Sequence, residues 1–271
     1  MGTLVCLHAH PDDEASATSG SMARAKAEGH RVVLIVATNG EHGEIPDDLG
    51  DEPLSDRRYA EVHRSGAIIG VDRIEWLGYR DSGMTGWDGN EHDESFWRTD
   101  VDEAAQRVAE VLLVEQADVF TIYDWHGGYG HPDHVQVHRV GARAAELVAD
   151  ELPGLRVFES TMNRDAMRRL MDLAREAGAL PDDEDWNPDG PMDDGNPMGT
   201  PESELTMRVD VTEHVSLKRA ALAAHSSQIS DTSWFLALPA EEFAQAFGTE
   251  WYIEHGRPQG ITPGWMFDHL S

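Results

Sequence analysis

The chain of 271 residues carries 21 Lys+Arg against 51 Asp+Glu, a formal net charge of −30, and only two of its basic residues, Lys26 and Lys218, are lysines. That balance argues against nucleic acid and anionic membrane surfaces as partners and describes a solvated acidic exterior. A hydrophobic share of 40% without any run of eighteen apolar residues fits one buried core and no membrane span, and a single cysteine, Cys6, leaves any metal to His, Asp or Glu.

In chain order, Thr3–Ala9 is short and apolar, as in a strand buried on both faces. Glu14–Glu28 reads as a helix rich in small residues and closed by Gly29. Arg31–Thr38 is a second strand, Arg57–Ile69 a helix ending at Gly70, and Arg73–Leu77 a third strand. Val101, Ala104, Ala105, Val108, Val111 and Leu112 recur at helical spacing and predict a helix over Val101–Glu115. Asp118–Tyr123 is a strand, Val135–Asp150 a helix, Leu155–Ser160 a strand and Arg164–Gly178 a helix. Pro181–Pro201 is dense in Pro, Gly, Asp and Asn and reads as an acidic surface loop, extending to about 204. Leu205–Val211 alternates like a strand, Val215–His225 resembles a helix, and the aromatic tail is expected to pack back on the rest.

This alternation predicts an α/β fold: a Rossmann-like, mostly parallel sheet flanked by helices, in one domain over 1–271. Its core covers about 3–178, and a C-terminal extension covers about 205–271. No basic flank precedes the apolar Leu4-Val5-Cys6-Leu7, so the expected location is cytoplasmic.

Two loops carry the chemistry. The first strand runs into His8-Ala9-His10-Pro11-Asp12-Asp13-Glu14. Open α/β sheets place ligands at such a junction of strand end and helix start. His10 and Asp13, three apart, can converge on one point, while Asp12 between them is a candidate general base. The competing reading is that the Asp-Asp pair caps the following helix. The second loop, Asp124-Trp125-His126-Gly127-Gly128-Tyr129-Gly130-His131-Pro132-Asp133-His134, again follows a strand and precedes a helix. Together the loops supply His10, Asp13, His131 and His134 plus the carboxylates of Asp12 and Asp133. Two histidines and one carboxylate suit a catalytic zinc that keeps an open position. Such a site also accepts Fe²⁺ or cobalt.

The pair Ala9-His10-Pro11-Asp12-Asp13-Glu14 and His131-Pro132-Asp133-His134 resembles the PIG-L/LmbE-like family of zinc-dependent N-deacetylases. Arg58-Tyr59-Ala60-Glu61 fits that family's Arg-x-x-Glu helix, and Gly78–Met84 its segment after the third strand. Gly127–Gly130 and Lys218–Gln228 are similar to its mycothiol branch of N-acetylglucosaminyl-inositol deacetylases and mycothiol-conjugate amidases. The resemblance implies zinc on His10, Asp13 and His134, and Asp12 as the base for an activated water. It further implies that His131, as imidazolium oriented by Asp133, stabilises the oxyanion, with Tyr129 adding a phenolic hydrogen bond.

Arg58 and Asp81 are candidates for gripping sugar hydroxyls, His225 for the pocket mouth by analogy, and His8 for a place in the core. Trp87, Trp97, Trp125 and Trp234 either stack on a sugar or fill the surface layer. The expected partner is a small N-acylated amino sugar or glycoconjugate, with the oligomeric state left open. The alternatives are an amidase of mycothiol-type conjugates and a non-catalytic metal-binding module that recognises sugars.

Overall fold

The computed structural model describes residues 1–176, 187–230 and 233–270. The end of the helix expected over Arg164–Gly178, the first part of the acidic loop and the Trp234 side chain lie outside the described residues.

The elements follow in order. β1 is Thr3–His8, α1 Asp13–Ala17, α2 Ser19–Ala27, β2 Arg31–Thr38, α3 Leu54–Ile69 and β3 Arg73–Tyr79. They continue with α4 Val101–Glu115, β4 Val119–Tyr123, α5 Pro132–Leu147, β5 Arg156–Thr161 and α6 Arg164–Glu176. The C-terminal part adds β6 Met207–Asp210, α7 Val215–Ala224, α8 Trp234–Ala237, α9 Ala240–Phe247, β7 Thr249–Glu254 and β8 Thr262–Pro263.

Among the described residues, eight strands form one sheet in the order β3-β2-β1-β4-β5-β7-β6-β8. β3, β2, β1, β4 and β5 are mutually parallel, whereas β7 runs antiparallel to both β5 and β6. The α/β, mostly parallel architecture is therefore as expected, and the C-terminal extension completes the same sheet.

Strand alternation feeds two cores. Val5, Leu7, Val33, Ile35, Phe120 and Ile122 face α4 and α5. Leu4, Cys6, Val32, Val119 and Phe158 face α2, α7 and the tail residues Trp265, Met266 and Phe267. A strand buried on both faces needs no polar side, so β1 and β2 read as continuous apolar runs.

The expected helix Glu14–Glu28 is two helices, broken at Thr18. The cause is tertiary. Glu250 of β7 accepts hydrogen bonds from the N–H groups of Gly20 and Ser21, each at 2.9 Å, and so caps α2 from across the molecule. Lys218 of α7 lies 2.6 Å from the same buried carboxylate, and the Tyr252 hydroxyl donates to it at 3.0 Å. α5 also starts earlier than Val135. His131 caps it and Pro132 takes its first position, where a missing N–H costs nothing.

Candidate active site

In this strand order the chain reverses direction across the sheet between β1 and β4, and open α/β sheets hold ligands at the carboxyl ends of the strands at such a point. The two His-Pro-Asp loops leave from those two ends. The first supplies His10 and Asp13, and the second places His134 on the opening turn of α5.

Three atoms converge there. His10 Nδ1 lies 3.2 Å from His134 Nε2, and Asp13 Oδ2 lies 3.4 Å from each of them. The far side of each ring fixes its tautomer. His134 Nδ1 donates to the Gly127 carbonyl at 3.1 Å, and His10 Nε2 donates to Asp133 Oδ2 at 3.2 Å. Two imidazole lone pairs and a carboxylate oxygen therefore face one another with no proton between them, an arrangement that calls for a cation. A tetrahedral zinc with donors at about 2.0–2.1 Å has donor–donor edges of about 3.3–3.4 Å, so the residues present fit such an ion. His10, His131 and His134 also form a buried cluster of nitrogens, and Asp81 and Asp133 stand with His10 and His131. The electrostatics agree. Burial opposes protonation of His10, yet Asp81, Asp13 and Asp133 raise its proton affinity well above the ordinary value. Burial likewise opposes the charge on Asp13, but His134 and His10 hold its carboxyl well below the usual range.

Asp12 occupies the turn between the two donors with φ of 111°, a left-handed conformation that ordinarily favours glycine. Its side chain makes no helix-capping hydrogen bond. The capping explanation of the Asp-Asp pair is thus excluded for Asp12, and strain at this position is of order 1–3 kcal/mol. Its N–H donates to Glu14 Oε2 at 3.0 Å, and its Oδ1 lies 3.2 Å from Arg58 Nη2. Burial pushes the Asp12 carboxyl up to about 6, with Arg58 pulling against it and Asp13 adding to the rise. A carboxylate poised near neutrality suits a general base.

His131 Nδ1 accepts the N–H of Asp133 at 3.1 Å, which leaves the proton of a neutral ring on Nε2. Burial, with His10 and His134 nearby, pushes its pKa down to about 2. In this tautomer the His131 ring presents its Nε2–H as a donor. Asp133 does not orient it through its carboxylate, which faces His10 and accepts from the backbone and hydroxyl of Ser82. Tyr129 is half-buried with its ring edge-on to His134 at 4.9 Å. Burial and then Asp13 keep its phenol protonated.

The structure places both expected sugar-binding residues against protein partners. Arg58 is buried, donating to the carbonyls of Gly40, at 2.7 Å, and of Pro11, so it braces the Asp12 turn. Asp81 lies behind His10, 3.6 Å from its Nε2, and accepts the Gly83 amide at 2.8 Å. Both are occupied by protein partners: Arg58 braces a strained turn, and Asp81 backs the His10 ring. His225 is likewise fully buried, 2.6 Å from Glu14 Oε1, rather than at the mouth. His8 sits in the core between the Tyr123 hydroxyl and Thr18, each at 2.8 Å. Trp97 lies under Arg139, whereas Trp87 and Trp125 are exposed.

Sequence reasoning gave no role to Ser82, Glu14 or the Gly127 carbonyl. Ser82 and Glu14 stand inside the quoted motifs, so their position was the available signal. A backbone carbonyl leaves none.

Comparison with known proteins follows the same lines. The family described as "PIG-L: GlcNAc-PI de-N-acetylase" matches residues 5–145. A 1D-myo-inositol 2-acetamido-2-deoxy-alpha-D-glucopyranoside deacetylase from Thermomonospora curvata is 36% identical over 282 aligned residues, covering 95% of this chain and 91% of the relative. Among solved structures, an N,N'-diacetylchitobiose deacetylase from Pyrococcus horikoshii superposes with a TM-score of 0.60 at 20% identity, covering 93% of this chain and 83% of that one. The 4-carboxy-2-hydroxymuconate hydratase of Pseudomonas putida also reaches a TM-score of 0.60, at 15% identity, with 97% of this chain and 99% of that one covered. The fold alone therefore does not choose the reaction. Family membership rests on the sequence match across both metal loops: the chain belongs to the PIG-L, GlcNAc-PI de-N-acetylase family and is a hydrolytic N-deacetylase.

Proposed function

We propose that this chain is a zinc-dependent deacetylase that hydrolyses the N-acetyl group of a glucosamine joined to a polyol such as inositol. The observation that carries this reading is the triangle of His10 Nδ1, Asp13 Oδ2 and His134 Nε2, with edges of 3.2–3.4 Å, beside the strained Asp12. Zinc, when held by these three donors, supplies a Lewis acid for the amide carbonyl and lowers the pKa of water. Fe²⁺ suits the same donors and is the competing native metal.

The chain's own groups have distinct parts. Asp12, in its carboxylate form, takes the proton of the attacking water and can return it to the departing amine nitrogen. His131 Nε2–H and the Tyr129 hydroxyl are donors for the oxygen that gains negative charge as the carbonyl becomes tetrahedral. Asp133 and Asp81 hold the His10 ring in the tautomer that turns Nδ1 toward the triangle, while Gly127 does the same for His134. The nature of the sugar is supported by the deacetylase names of relatives that span nearly the whole chain.

The test is amine release from N-acetylglucosaminyl-inositol, set beside a mycothiol-type thiol conjugate, with metal analysis of the same preparation. The expected result is one metal ion per chain, deacetylation of the former, and loss of turnover on chelation. Asp12→Asn is expected to keep its metal while kcat falls by about 10²–10⁴. Full activity in that variant would remove Asp12 from its role. Preferential cleavage of the thiol conjugate would make the chain an amidase instead.

A further inference from the structure

The acidic segment between α6 and β6 does not hang free in its described part. The Arg164 guanidinium donates to the carbonyls of Met198 at 2.7 Å and Gly199 at 2.5 Å, and Thr200 N–H donates to the Met162 carbonyl at 2.8 Å. Asn196 grips Asp194 through its backbone N–H at 3.0 Å and its side-chain amide at 2.9 Å. Thus anchored, the segment lies on the loop that carries Tyr129. Asp194 Oδ2 is 2.8 Å from Nε2 of the buried His126, and Gly199 N–H donates to the Gly128 carbonyl at 2.6 Å. Gly130 meets the same carboxylate: a Cβ placed there would stand 2.5 Å from Asp194 Cγ.

The loop needs such a restraint. Gly127, Gly128 and Gly130 all stand at positive φ (64°, 81° and 86°), and glycines leave a backbone free unless something outside holds it. Its first half is held from within, because Asp124 Oδ1 accepts from His126 N–H at 3.0 Å and Gly128 N–H at 2.9 Å, and the Asp124 carbonyl accepts from Gly127 N–H at 2.9 Å. Its second half, with Tyr129, has the Gly130 N–H on the His126 carbonyl at 2.9 Å, the Thr85 hydroxyl on the Gly130 carbonyl at 3.3 Å, and the contacts of the acidic segment.

We propose that the segment around Asp194 is a strap that positions the catalytic loop, with Asp194 and His126 as positioning residues that fix the Tyr129 hydroxyl over the metal donors. The proposal rests on the deacetylase reading above, in which Tyr129 serves the developing oxyanion. The metal site itself is outside the strap's reach, because Gly127, which orients His134, is secured by Asp124.

The experiment compares metal-loaded wild type, Asp194→Ala and Asp194→Asn, which keeps the side chain's shape and an oxygen that can still accept from the Asn196 N–H. In Asp194→Ala the amides of 129 and 130 are expected to exchange with deuterium about tenfold faster, and Asp194→Asn to restore most of the protection. Metal content and KM stay unchanged while kcat falls about tenfold. In a Tyr129→Phe background the further loss from Asp194→Ala shrinks to below about twofold, because the two changes remove one interaction. Unchanged exchange at 129 and 130, or losses in kcat that multiply in the double variant, overturns the strap. Wild type that fails to deacetylate refutes the activity instead, and the exchange measurement still decides whether Asp194 holds the loop.

Discussion

Replacing Arg58 by glutamine isolates the electrostatic control of the base. In the proposed mechanism Asp12 acts as a carboxylate, so activity is expected to fall as pH drops through its pKa, which burial pushes up to about 6. The Arg58 guanidinium favours the ionised form. Removing it raises that pKa and moves the acidic limb of kcat/KM to higher pH. With Nη2 and Oδ1 3.2 Å apart, Coulomb's law at roughly the dielectric constant of water gives about 1.3 kcal/mol, or about one pH unit. That is a floor for an enclosed pair, since an Asp beside an Arg is commonly shifted by about 1–3 units. Arg58→Lys keeps the charge and serves as the control. The assay is a pH–rate profile of the metal-loaded variants, with circular dichroism and metal content confirming that each is intact. The metal contributes to all three alike, so the difference between limbs reports Arg58. The expected limb in Arg58→Gln lies about one unit or more above wild type, with Arg58→Lys unmoved. A limb that stays put in an intact Arg58→Gln, or moves equally in Arg58→Lys, refutes the reasoning.

Gly127→Ala combines strain at a φ of 64° with a clash between the new methyl and His134, so metal affinity should drop by about 10–100-fold in a chelator competition; unaltered affinity would contradict the role given to the Gly127 carbonyl. Lys218→Met strips the partner from a buried carboxylate and should cost about 3–5 kcal/mol. With about 2.1 cal/mol/K of unfolding entropy per residue over 271 residues, calorimetry should show a midpoint lowered by roughly 5–9 °C, and a drop under about 2 °C would count against the pair. Raising the salt to about 1 M screens the repulsion arising from a net charge of −30 and should raise the thermal midpoint, whereas a flat or falling midpoint would show that repulsion is unimportant.

How far the sequence could be read depended on the range of the forces involved. β2 and α4 have the predicted bounds because their signals are local: an apolar run, and an amphipathic stripe with Asp100 capping Glu103 N–H. The convergence of the two His-Pro-Asp loops was legible because strand-end loops of a parallel sheet share one edge. The break at Thr18 was not, since its cause is a carboxylate 230 residues away in the chain. Asp133 facing His10 was hidden for the same reason: sequence proximity pointed to His131, but the fold brings another element closer. The start of α5 at Pro132 needed no tertiary information, because proline at the first helical position is itself a signal.

The strained turn at Asp12 shows where the site's precision originates. Nothing local stabilises a φ of 111° at an aspartate, so its neighbours must impose it. Arg58 of α3 holds the Pro11 carbonyl and the Asp12 carboxylate, and Glu14 holds the Asp12 N–H. Glu14 is in turn fixed by the Ser65 hydroxyl and by His225, both at 2.6 Å, in a buried pair that favours the charged forms of both partners. Glu61, one turn along α3 from Arg58, holds the following residues through the Ser227 N–H at 2.9 Å and its hydroxyl at 2.6 Å. The family match over 5–145 contains His10, Asp12, Asp13 and His134, yet His225, Ser227 and Asp194 lie beyond it. The Asp12 turn is thus braced from within that span by Arg58 and Glu14, and from outside it by His225 and Ser227 acting through Glu14 and Glu61.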